Sequence, residues 1–77
     1  MARHSELKVL CRNIAYLRKT NHLSRKQMAE KLGVRVFTLL IIECGHVPEW
    51  VDVRVLDHIH NNFGLTPSQI FAALYKE

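Results

Sequence analysis

Leu7, Leu10, Cys11, Ile14 and Leu17 recur at the three-and-four spacing that gathers side chains on one face of a helix. Ser5 stands ahead of that stripe and is the expected N-cap. Cys11 lies within the stripe and is read as a small core residue. The helix is expected to stop near Asn21 or His22, residue types that tolerate a left-handed backbone where no glycine is at hand. A second start follows at once. Ser24 with Gln27 spells a capping box, and Leu23 with Met28 a hydrophobic staple. The second helix should run to about Leu32, bury Met28, Ala29 and Leu32, and end at Gly33. Ala29 is small where a third helix must cross closely.

That third helix is expected over about Arg35 to Cys44, with Leu39 and Ile42 toward the core, Gly45 as its stop and Pro48 barring continuation. Beyond Pro48 two periods compete. Val51, Val53 and Val55 alternate as in a strand, whereas Leu56, Ile59 and Phe63 repeat as in a helix. We expect a helix from about Asp52 to Asn62 with a short alternating lead-in, closed by Gly64. Thr66, Pro67 and Gln69 then mark a fifth helix, with Leu65 and Ile70 as its staple. It is expected to reach the C-terminus and bury Ile70, Phe71 and Leu74. The pattern predicts an all-α, five-helix fold over residues 1–77.

Seventy-seven residues make one small domain with little margin for an enclosed active-site cleft. No Ser/His/Asp set, glycine-rich phosphate loop or carboxylate pair can be placed around one, so no enzyme is expected. Cys44 beside His46 is the nearest approach to a nucleophile and base. His58 and His60 lie two apart, nearly opposite on a helix, and no cysteine pair brackets them, so neither metal nor cofactor is expected. Two cysteines are too few for a disulfide scaffold. The start MARHSELK lacks the apolar run of a signal peptide, and no run approaches a membrane span of about 20 residues. A cytoplasmic protein with free thiols is expected.

Charge is unevenly distributed along the chain. Residues 1–47 hold nine cationic side chains (Arg3, Lys8, Arg12, Arg18, Lys19, Arg25, Lys26, Lys31 and Arg35) against Glu6, Glu30 and Glu43, a balance of +6. Residues 48–77 hold Arg54 and Lys76 against Glu49, Asp52, Asp57 and Glu77, a balance of −2. The basic part contains the second and third helices. It suits a phosphate backbone, and it equally suits ordinary solvated helices.

The stretch from Ser24 to Gly45 has the shape of a helix-turn-helix. Together with Leu17-Arg18, the block LSRKQMAEKLGV, the helix end Glu43-Cys44-Gly45 with Pro48 beyond it, and Phe63-Gly64-Leu65-Thr66, it resembles the Cro/repressor-type (Xre-like) helix-turn-helix family. The resemblance covers about Ile14 to Phe71 and implies a lambda-repressor-like DNA-binding domain. It implies a structural ion pair between Arg18 and Glu43. It implies phosphate contacts from Ser24, Arg25, Arg35, Cys44 and His46, and base contacts from Arg25, Val36, Phe37, Leu40 and Ile41. The connection after Pro48, which carries Trp50, is some three residues longer than is usual in that family.

At the third helix the chain departs from the family. Positions that are usually polar, because base edges are read by donors and acceptors, are apolar here. Phe37, Leu40, Ile41 and Cys44 form a second stripe opposite Leu39 and Ile42, and from Val36 through Val53 there is no Lys or Arg. A helix apolar on two sides is expected to be covered on both. Two expectations therefore stand. One is a regulator that binds double-stranded DNA, as a dimer, with Arg25 and Arg35 on the backbone. The other is a helix-turn-helix turned to protein docking through Phe37, Leu40, Ile41 and Cys44, as a homodimer or with another regulator.

Overall fold

The computed structural model describes residues 4–48, 53–72 and 74. Helix α1 spans His4–Thr20. The helix already contains His4, so Ser5 is an interior residue and not the expected cap. Leu10, Cys11, Ile14 and Leu17 are buried as the stripe predicts, while Leu7 at its upper end is only partly covered. The helix stops where expected: His22 takes a left-handed backbone (φ 56°), and the Asn21 side-chain amide donates to the Leu17 carbonyl at 2.8 Å.

Helix α2 covers Arg25–Leu32 and opens on the predicted capping box. The Gln27 N–H donates to Ser24 Oγ, and the Ser24 N–H donates to Gln27 Oε1. It closes at Gly33 (φ 70°), where the Gly33 and Val34 N–H groups turn back to the carbonyls of Glu30 and Ala29. Three residues later helix α3 runs over Val36–Glu43, with Arg35 as N-cap and Cys44 as C-cap. Leu39 and Ile42 are buried as expected. Thr38 is buried as well, which the apolar pattern does not register.

Helix α4 covers Val53–Phe63. The helical period prevails over the alternating one because Val55 and Ile59 lie four apart and both enter the core. The expected helix start at Asp52, the lead-in before it with Val51, and Trp50 lie outside the described residues. Helix α4 packs against α2 at the turn. The Asn62 amide donates to the Lys31 carbonyl at 3.0 Å, and the His58 ring lies so close to Gly33 that a Cβ there would sit 2.7 Å from its Nε2.

Helix α5 corrects the expectation most plainly. It opens as predicted, with Pro67 in the first turn and Thr66 and Gln69 completing a capping box, but it spans only Pro67–Ile70. Asn13 of α1 supplies the reason. This fully buried side chain donates to the carbonyls of Ile70 and Ala72 and accepts from the Leu74 N–H at 2.9 Å. The helix end is thus held by a partner from outside the helix. Phe71 and Leu74 pack against the core but are only partly buried. The core runs from α1 beneath α2 and α3 to Val55, Ile59 and Ile70.

Candidate nucleic-acid interface

Glu43, at the end of α3, lies between two arginines. Arg18 Nε and Nη2 reach its two carboxylate oxygens at 2.7 and 3.1 Å, while Nη1 donates to the Leu23 carbonyl at 3.3 Å. Both side chains are largely covered, at 13% and 8% exposure. A planar guanidinium meeting a carboxylate in two parallel bonds fixes orientation as well as distance. The fork therefore ties α1 and the chain before α2 to the far end of α3.

Arg25, the first residue of α2, brings its Nε within 3.4 Å of the same carboxylate while its side chain stays half in solvent. Sequence reasoning placed Arg25 at a phosphate or a base but missed this link to Glu43. No helical spacing pairs the first residue of one helix with the last residue of the next, so nothing in the pattern signalled it. Ser24 is exposed, and its hydroxyl oxygen is used by the Gln27 N–H, leaving the hydroxyl proton to donate outward. Arg35 is exposed at the start of α3, where no side chain caps the helix.

The outward face of α3 is apolar in three dimensions as in sequence. Phe37 is 71% exposed, with Val36 at 39% and Leu40 at 38% beside it. Ile41 is only partly covered and Cys44 is exposed, so the second stripe grades from open at Phe37 to half-closed at Ile41. The polar residues of the helix do not serve this face, since Thr38 is buried and Glu43 is held by arginine.

Beyond the end of α3 the chain reverses at Gly45, and the His46 N–H donates to the Ile41 carbonyl at 3.2 Å. His46 is exposed and lines a groove of about 660 Å³ with Cys44 and, from α1, Lys8 and Arg12. Lys8 and Arg12 were not singled out from sequence, although their spacing of four places them on one helical face. Cys44 and His46 line this open groove without forming an enclosed site. The other thiol, Cys11, is buried, and that burial pushes its pKa up. Among the described residues no group of three or more His, Cys, Asp or Glu is placed to hold a metal ion, and no helix is long and apolar enough to cross a membrane. Comparison with family models, curated proteins and solved structures finds no match.

Proposed function

We propose that the chain is a small transcriptional regulator of the Cro/repressor type that binds double-stranded DNA in the cytoplasm as a dimer, with α2 and α3 acting as its helix-turn-helix. The observation that carries this reading is the exposure of Arg25 and Arg35, the first residue of α2 and the N-cap of α3, together with the partly open apolar face of α3. The uncapped start of α3 adds backbone N–H groups and the positive end of a helix dipole, both suited to a phosphate. An α-helix fits the major groove, about 12 Å wide. Arg25, held on one side by Glu43, and Arg35 contact the backbone. Ser24 and His46 extend the contact line to the start of α2 and the end of α3.

Gel shift of a duplex at low salt tests the reading. Arg25→Ala and Arg35→Ala are each expected to weaken the shift several-fold and together to abolish it; full binding by the double variant would sink the proposal.

A second reading is favoured by Phe37 alone. A phenylalanine that is 71% exposed, flanked by Val36 and Leu40, is a natural anchor for another protein or a second copy. On that reading Ile41 and Cys44 form the margin of the contact. Phe37→Asp with Leu40→Asp would then convert a dimer into a folded monomer on sedimentation, and a wild-type chain that is monomeric at high concentration would refute the homodimer.

A further inference from the structure

The outward face of α3 offers a nucleic acid no side-chain hydrogen bond. Val36, Phe37 and Leu40 are the exposed large apolar side chains, Ile41 is half-covered, and the helix's remaining polar groups, Thr38 and Glu43, are turned inward. Base pairs are distinguished in the major groove by donors, acceptors and one apolar feature, the C5-methyl group of thymine. Three apolar side chains in a row can use only the last of these. A guanine or adenine edge set against them would lose its water and gain no partner, which costs affinity.

Resting on the reading of the chain as a DNA-binding protein, we infer that α3 recognises duplex DNA through C5-methyl groups, with Phe37 and Leu40 as the specificity-determining residues and Val36 as their flank. Charge complementarity selects this occupant. Arg35 lines a hollow with Phe37, Arg25 reaches the carboxylate at the end of α3, that helix carries no exposed acid, and its one carboxylate, Glu43, is shared by Arg18 and Arg25. A polyanion whose groove floor bears methyl groups satisfies both the apolar face and the arginines. Arginine contacts set position and total affinity without reading sequence, so selectivity falls to the methyl contacts. Burying one methyl group corresponds to about a four-fold change in affinity, and three side chains of this size cover one or two of them.

The test compares two 20-base-pair duplexes of identical alternating A·T sequence, one containing thymine and the other deoxyuracil, by fluorescence anisotropy at low salt. The expected result is tighter binding of the thymine duplex by about four-fold for each contacted methyl. Phe37→Ala with Leu40→Ala, both at exposed positions, is expected to keep the helical circular-dichroism spectrum and erase the difference. Replacing cytosine by 5-methylcytosine in an alternating G·C duplex is expected to raise affinity by a similar factor. Equal, salt-sensitive binding of the thymine and deoxyuracil duplexes would overturn this inference and leave DNA binding standing. A thymine preference that survives in the Phe37/Leu40 variant would also overturn it. Binding to neither duplex, together with a dimer mass that falls on Phe37→Asp, would overturn the DNA reading itself in favour of a protein partner.

Discussion

Gly33 shows how narrowly a single residue is specified at the α2–α3 turn. Its backbone is left-handed, and the His58 ring occupies the space a side chain would need. Gly33→Ala therefore carries two penalties. The left-handed conformation alone costs about 1–2 kcal/mol, and the contact with His58 adds to it. Urea denaturation is expected to show a loss of about 2 kcal/mol or more. His58→Ala in the same chain should return part of that loss, which separates crowding from backbone strain. Cys11 carries a different liability. Burial raises its pKa, so the folded protein holds the thiol proton more tightly than the unfolded chain does. The resulting stability is complete below the ordinary thiol value and is lost as pH rises through the raised, folded-state value. Denaturation midpoints should thus fall in the alkaline range for the wild type and fall less for Cys11→Ala, although that variant starts lower because of the cavity it leaves.

Helix ends mark the boundary between what local pattern dictates and what tertiary contact decides. The starts of α2 and α5 were legible because a capping box involves residues three apart, and the stops at His22, Gly33, Gly45 and Gly64 because a left-handed backbone favours few residue types. The early end of α5 was not legible. It depends on Asn13, which is 57 residues from Ile70 and polar within a stripe read by its apolar members. The contribution of Asn13 is measurable: Asn13→Ala removes three hydrogen bonds at about 1 kcal/mol each. It should also accelerate hydrogen exchange at the Leu74 amide more than at Met28. Exchange that speeds up equally at both would mean that Asn13 supports the whole fold and does not specifically hold this end. The tie between α1 and α3 is likewise long-range. It was expected only from resemblance, since nothing in the helical spacing pairs Arg18 with Glu43. Arg18→Met should cost about 3 kcal/mol, because it leaves a largely covered carboxylate with only the half-exposed Arg25 at 3.4 Å.

Over the whole molecule, the residues of the candidate interface come from three places: the start of α2, the face of α3 and the reversal after it. In the fold Arg25, Arg35 and Phe37 all remain exposed. Sequence pattern located these positions because exposure on α3 follows directly from which residues enter the core. It could not show that Glu43 holds Arg25, because that contact joins the first residue of one helix to the last residue of the next. It also left Lys8 and Arg12 unconnected to His46, although the groove between α1 and the end of α3 places them together. The net charge of +4 is unevenly placed: exposed arginines stand at the starts of α2 and α3, while the outward face of α3 carries no charge of its own. On the proposed reading, affinity for a polyanion comes from these arginines and depends on counterion release. The most direct measurement is the slope of log affinity for a random duplex against log salt concentration. If these arginines hold the DNA backbone, log affinity falls linearly, with the slope shallower by about 0.9 for each phosphate contact removed by Arg25→Ala or Arg35→Ala. An affinity indifferent to salt, or a slope unchanged in both variants, would contradict it.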